Sequence, residues 1–207
     1  VGKKLTVKVT GKLSGYTSVS KTSSSTAAVV KGTLTAKTPT VSGTVKVGKT
    51  LTATPGAWTA GTSFTYQWYA NGKAISKAAN ATFKLTGAQA GKTITVKVTG
   101  KKSGYTTVSK TSAKTKTVAQ GTLTAAAPTI KGTAKVGKKL TATVTKVSGA
   151  TSKVQWYVGG KKVSGATKTT FTLRKADKGK TLKVKATYTR TGYTTLTKTS
   201  KATAKVK

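Results

Sequence analysis

A basic stretch of this chain is written three times, and what can fold around such a repeat is narrowly bounded. It reads "AGKTITVKVTGKKSGYTTVSKTS" at residues 90–112, "VGKKLTVKVTGKLSGYTSVSKTS" at 1–23 and "KGKTLKVKATYTRTGYTTLTKTS" at 178–200. Gly2, Gly91 and Gly179 stand 89 and 88 residues apart, and Tyr16, Tyr105 and Tyr193 keep the same two spacings. The front half recurs as well: "GTLTAKTPTVSGTVKVGKTLTAT" at 32–54 matches "GTLTAAAPTIKGTAKVGKKLTAT" at 121–143, and "QWY" falls at 67–69 and 155–157. A fixed period of this kind marks an array of similar units. The register predicts two whole units, 32–120 and 121–207, preceded by the back third of another over 1–31.

Inside each unit the apolar period is two, the rhythm of a strand with one buried face. Ile94, Val96 and Val98 alternate with Thr95, Lys97 and Thr99; Leu182, Val184, Ala186 and Tyr188 alternate with Lys183, Lys185 and Thr187. Phe64, Tyr66 and Trp68 share one face of an earlier strand, matched by Val154, Trp156 and Val158. Thr and Val suit pleated strands, and the steps Asn71-Gly72, Gly159-Gly160 and Ser103-Gly104 suit the turns between them. No helix-period segment of useful length interrupts the pattern. Each unit is therefore expected to be all-β, with about seven short strands and an inward tryptophan on the third, the pattern of an immunoglobulin-type β-sandwich.

The combined pattern "PTVSGTVKVGKTLTATPGAW...FTYQWYANGKAI...ATFKLTGAQAGKTITVKVTGKKSGYTT" covers essentially the whole chain when its repeats are counted. It resembles the bacterial immunoglobulin-like repeats of large secreted and surface proteins, especially of actinobacteria. The stretch from Leu173 to Gly179 also echoes the "L-x-x-x-D-x-G" turn of immunoglobulin domains through Asp177. Two departures stand out: the chain has no cysteine, and Thr181 occupies the place of the corner tyrosine of antibody domains. The resemblance implies tandem immunoglobulin-like sandwiches held by core packing alone, on a protein that is secreted or attached to a bacterial cell surface.

Composition limits the chemistry. The chain has 39 Lys+Arg against one Asp+Glu and no His, Cys or Met, for a formal net charge of +38. With Asp177 as the single acid, paired-carboxylate hydrolysis cannot be assembled. Without histidine there is no Ser-His-Asp or Cys-His constellation, and zinc and calcium lack their usual donors. The expectation is a protein that is not an enzyme and carries no cofactor. "GAQAGKT" at 87–93 is not a phosphate loop, because Gly87 and Gly91 are one residue too close and a strand follows. No run of about 18 apolar residues is present, so insertion into a membrane is not expected. All the basic residues except Arg174 and Arg190 are lysine, a hydrated point charge suited to loose electrostatic contact rather than base reading.

Soluble surfaces ordinarily mix both signs. Lysine on exposed strands discourages aggregation, which accounts for lysine but not for the absence of glutamate. The partners expected are anionic polymers, such as teichoic acid, acidic polysaccharide or extracellular DNA, bound without sequence specificity. Candidate contact residues are the outward Lys97, Lys101, Lys102, Lys183 and Lys185, with Lys110 and Lys198 read as outward strand positions too. Tyr69 and Tyr157, outward beside Gln67 and Gln155, could stack on a sugar ring. Ordinary cross-strand packing explains them equally well. Trp58, in the loop "PGAWTAGTS", is either a ligand platform or a seal for the end of the sandwich. Tyr105 and Tyr193 are expected to fold back over the core.

The resulting expectation is an adhesive or envelope-binding stalk. The alternatives are a fibre subunit, in which residues 1–31 are completed by strands of another copy of the chain, and a targeting appendage of a secreted wall hydrolase. Residues 1–31 correspond to only the last two strands of a unit, so their apolar row (Leu5, Val7, Val9) should be left uncovered.

Overall fold

A computed structural model describes all 207 residues, Val1–Lys207. The chain begins with a hairpin of β1 (Lys8–Gly11) and β2 (Val19–Thr22). Then follow β3 (Thr40–Ser42), β4 (Thr50–Thr54), β5 (Ser63–Ala70), β6 (Lys73–Ala74), β7 (Thr82–Lys84), β8 (Ile94–Lys101) and β9 (Val108–Thr111). They form a three-stranded sheet in the order β3-β4-β7 and a four-stranded sheet in the order β6-β5-β8-β9. The set repeats as β10 (Thr129–Lys131), β11 (Lys139–Thr143), β12 (Thr151–Val158), β13 (Lys161–Lys162), β14 (Thr170–Thr172), β15 (Leu182–Thr189) and β16 (Leu196–Thr199), in the orders β10-β11-β14 and β13-β12-β15-β16. Seven strands split three and four across two sheets make an immunoglobulin-like sandwich. The fold is thus all-β, in tandem immunoglobulin-like sandwiches. No helix is long and apolar enough to cross a membrane.

By compactness the residues group into two units. One comprises Val1–Ser42, Thr52–Thr82 and Thr95–Lys114; the other comprises Gly43–Leu51, Phe83–Ile94 and Thr115–Lys207.

The second unit contains the whole of the last sandwich. Its core joins Trp156, Leu140, Phe171, Leu173, Leu182 and Val184, with Ala186 and Tyr188 in a smaller cluster beside Val147 and Leu196. Trp156 is fully buried, stacks on Phe171 at 5.4 Å, and donates its indole N–H to the Lys168 carbonyl at 2.9 Å. An indole can sit this deep only with its one polar group satisfied. β12 turns into β13 through Gly159 (φ 53°) and Gly160 (φ 80°), both left-handed as a two-residue hairpin requires.

In the first unit Trp68 is likewise fully buried, and its indole donates to the Asn80 carbonyl at 2.9 Å. Asn71 (φ 46°) and Gly72 (φ 79°) make the corresponding hairpin turn. Trp58 packs against its own sandwich. Its ring meets Phe64 edge-on at 5.3 Å and 82°, its indole N–H donates to the Pro55 carbonyl at 3.1 Å, and its face covers Gly100 so closely that a Cβ there would collide with it. The last sandwich fills the same place differently: Tyr188 stands at the Gly100 register, and its loop carries Val147 in place of an aromatic ring.

The tyrosines of the two "GYT" turns do not lie over the core. Tyr105 covers Gly32, whose N–H donates to the Gly104 carbonyl at 2.9 Å, and Tyr193 covers Gly121 in the same manner. Each ring clamps the chain at the entry to its repeat, where any side chain would be in the way.

The Trp58–Gly100 fit predicts strong coupling between the two positions. Trp58→Ala should cost about 3 kcal/mol in denaturant unfolding, the low end for a large aromatic because the ring is only half-buried. Gly100→Ala should cost about 2 kcal/mol by overpacking. In a Trp58→Ala background the glycine substitution should cost markedly less, with a remainder from the Thr62 methyl 2.9 Å from the added Cβ, and a double-mutant cycle reads that coupling directly.

Candidate functional site

Directly opposed residues on antiparallel strands share a face. On the outer face of the last four-stranded sheet, Tyr157 lies opposite Lys162 on β13 and opposite Lys183 on β15. In the adjacent row Gln155 lies opposite Lys185, which lies opposite Thr199 on β16. One row further, Lys153 lies opposite Thr187. Lysines from the two neighbouring strands thus flank one half-buried tyrosine, on strands spaced about 4.8 Å apart, with Lys153 further along β12. Of this set, Tyr157, Lys183 and Lys185 are expected from sequence. Lys153 and Lys162 join them only through strand register.

The other expected residues are distributed differently. Tyr69 lies opposite Ala74, where Tyr157 has Lys162. Lys97 is exposed and lies opposite Thr111; Lys101 is exposed at the end of β8, with its carbonyl accepting from the Ser63 hydroxyl at 3.0 Å. Lys102 does not reach out to solvent as an outward lysine should. It bends back so that Nζ donates to the Ala60 carbonyl at 2.7 Å and lies 4.7 Å from the centre of the Tyr105 ring. Arg190 repeats this clasp, 4.5 Å over Tyr193 with a bond to the Ser148 carbonyl at 3.3 Å. Trp58, half-buried, packs on Phe64 and against Gly100.

The glutamines are also committed. Gln67 Nε2 donates to the Trp68 and Ile75 carbonyls at 2.9 and 2.8 Å, and Gln155 Nε2 donates to the Trp156 and Val163 carbonyls at 3.0 and 2.6 Å. Each pins its sheet to the loop after the hairpin, which leaves the neighbouring tyrosines without a free amide donor. Lys110 and Lys198 correct a further expectation. They lie opposite Val98 and Ala186 and so carry the inward phase, on strands β9 and β16 at the sheet edge. A charged side chain with inward phase on an edge strand opposes the docking of another strand there.

The single acid is committed to Arg174 and leaves the lysines of this face without an acidic partner. Asp177 is buried at 2% exposure and closes the 3-10 turn Lys175–Asp177. Its oxygens accept from the Arg174 backbone N–H at 2.9 Å and from the guanidinium through Nε and Nη2, each at 3.0 Å. Burial by itself pushes the carboxyl upward; the Arg174 hydrogen bonds and charge, helped by Lys180, outweigh it and hold the group below its ordinary value. At the corresponding turn in the preceding repeat, Gln89 accepts from the Thr86 N–H and hydroxyl at 3.0 and 2.7 Å. One motif is therefore built once with an ion pair and once with neutral groups.

No family model matches the chain. It is similar to a protein of Enterobacteria phage T4 described as "Highly immunogenic outer capsid protein", with 35% identity over 176 residues, which covers 81% of this chain and 46% of that protein. The chain therefore spans about half the length of the curated relative it matches. Among solved structures it aligns with tandem Ig repeats of Dlar, at 16% identity and a TM-score of 0.23, over 82% of this chain and 93% of that one.

The Asp177 turn sets a pH dependence of definite sign. A carboxyl held lower in the folded than in the unfolded state stabilises the fold fully above its unfolded pKa of about 4, and that contribution disappears as pH falls through the folded value. No other side-chain carboxyl and no histidine exists. Thermal melts between roughly pH 5 and pH 2 should therefore show a loss of stability that Asp177→Asn largely abolishes.

Proposed function

We propose that this chain is a non-catalytic repeat module of an extracellular or virion-exposed protein, which holds anionic polymer against the outer face of its last four-stranded sheet. The observation that carries the reading is the row Lys162–Tyr157–Lys183 with Lys185 beside it, on a chain whose only carboxylate is turned inward. Cationic groups on both sides of an exposed ring edge suit a polymer with regularly spaced negative charge and an apolar face, as in an acidic polysaccharide. Lysine rather than arginine makes the contact tolerant of spacing. The similarity to an outer capsid protein of a phage supports exposure on the outside of a particle or cell. The resemblance to bacterial surface repeats supports the same side of the membrane. Teichoic acid and extracellular DNA present the same chemistry, and a wall-targeting role would use the same face.

Binding of this kind releases counterions, so affinity should fall steeply with salt. With heparin and with a short DNA duplex as probes, the affinity of the intact chain should drop at least tenfold between 50 and 200 mM salt. Replacing Lys162 and Lys183 by Gln should weaken binding several-fold and reduce the salt slope for the duplex by about 2. The pair Lys138 and Lys139, distant in register from Tyr157, should have a smaller effect when replaced in the same way. Equal effects from both pairs would remove the site and leave only diffuse charge, and binding indifferent to salt would remove the electrostatic mechanism altogether.

A further inference from the structure

The hairpin over residues 1–31 is built bond for bond like the back half of a finished sandwich. Leu5 N–H donates to Thr26 Oγ1 at 3.1 Å and Val7 N–H to Ser23 Oγ at 3.0 Å, as Leu182 N–H donates to Thr203 Oγ1 and Val184 N–H to Ser200 Oγ, both at 3.0 Å. Ser23, Thr26 and Val29 return backbone bonds to Val7, Leu5 and Lys3, as Ser200, Thr203 and Val206 do to Val184, Leu182 and Lys180. Only the covering layer differs. Leu182, Val184 and Ala186 are fully buried, whereas Leu5, Val7 and Val9, in the same register, are 59, 60 and 63% exposed.

We infer that this face is the docking surface for a front-half sheet layer of the same repeat type, of the kind that residues 32–89 form over the next back half. Three observations select this occupant. In both finished sandwiches the 3-10 turn that ends the front layer runs within two residues into the glycine equivalent to Gly2, Gln89 into Gly91 and Asp177 into Gly179. A layer of that kind seated on the hairpin would meet Gly2 by the same path.

Next, the tip of the last "GYT" turn rests on the 3-10 turn that ends a front layer. A Cβ on Gly192 would collide with the Gly87 backbone of that 3-10 turn, whereas around Gly104 the nearest atom to such a Cβ is one methyl carbon of Val1, at 4.0 Å. The arriving layer would bring the turn that Gly104 lacks. Finally, Gly11 holds the register of Gly100, yet the only heavy atom within 4 Å of a Cβ there is the Val19 carbonyl oxygen, at 4.0 Å. The indole of Trp58 fills that space over Gly100, so the missing layer should carry an aromatic residue in the loop corresponding to "PGAW".

A second copy of the chain fits poorly. Each copy has three back halves and two front halves, so exchanging strands between copies moves the uncovered face without eliminating it. Two such faces placed together would bury about a few hundred Å2 each, short of the roughly 800 Å2 per partner of a stable dimer.

The test compares the 207-residue chain with two extended chains, one carrying a copy of residues 32–89 joined ahead of Val1 and the other a copy of residues 121–177, which lacks the loop tryptophan. Amide hydrogen exchange at Val7 and Val9 is the readout, with Val96 as the internal reference for correct folding. Joining 32–89 should slow exchange at Val7 at least a hundredfold, and Val7→Asp in that extended chain should abolish the gain while leaving Val96 protected. The 121–177 layer should protect less, because Gly11 keeps a void above it. Exchange at Val7 unchanged by the 32–89 layer overturns the proposal. A 207-residue chain that sediments as a dimer with Val7 already protected overturns it too, in favour of a second copy. Equal protection by both layers overturns the assignment of the loop aromatic.

Discussion

Everything in this fold depends on one buried seam, in which the alternate aliphatic row of the penultimate strand of each repeat, β8 or β15, packs with the inward tryptophan of the repeat's longest front-half strand. With no cysteine to cross-link the sheets, that seam carries the packing that holds them face to face. Leu182, Val184, Trp156 and Leu140 meet in it with almost no exposed surface. At about 25 cal/mol per Å2 of apolar surface, a handful of such side chains outweighs any single polar contact in the molecule. The hairpin at residues 1–31 separates the two contributions. Its hydroxyl bridges and backbone ladder have the same geometry as those of the finished sandwiches, so hydrogen bonding shapes the back half. Burial has to come from elsewhere.

The charge is compatible with this because of where it sits. Two ammonium groups 10 Å apart in water repel by about 0.4 kcal/mol, and a Debye length of about 8 Å at physiological salt reduces that further. Spread over outward and edge positions, the lysines leave the seam intact while surrounding it with a positive field. The only side-chain acid is paired with Arg174 within its own 3-10 turn, and the analogous turn at Gln89 shows that the fold does not require a charge there. The lysines are thus left without acidic partners, and two strands bring Lys162, Lys183 and Lys185 beside Tyr157.

The strand rhythm, the inward tryptophans and the Asn-Gly and Gly-Gly turns could be read from residue order, because each depends on neighbours one or two positions apart, and the uncovered row at Leu5, Val7 and Val9 followed from the 88- to 89-residue repeat. What could not be read depends on pairs brought together by register. Lys102 is an outward lysine by phase, but the loop at Ala60 and the Tyr105 ring recapture it. Lys110 and Lys198 are polar and solvated, yet their cross-strand partners place them on the core side of an edge. Ser112 and Thr115 recur with the repeat, at Ser23 and Thr26 and at Ser200 and Thr203. That periodicity was the available signal for the hydroxyl bridges to Val96 and Ile94. Lys162 beside Tyr157 left no such trace, since only the pairing of β12 with β13 joins them.

The two complete repeats reach the same fold through different local solutions, and the differences come in matched pairs. Where one has Gly100 beneath Trp58, the other has Tyr188 beside Val147; where one closes its turn with Thr86 and Gln89, the other uses Arg174 and Asp177; one clasp is Lys102 on Tyr105, the other Arg190 on Tyr193. The Gly100 and Tyr188 positions lie on the back-half strand, whereas Trp58 and Val147 lie in the front-half loop. Front and back halves are therefore fitted to each other within a repeat, and a half taken from the wrong repeat would leave either a void or a collision. This is why the bare glycine at Gly11 carries information about a layer that is not there: a back half without a side chain at that position belongs with a front half that brings its own ring.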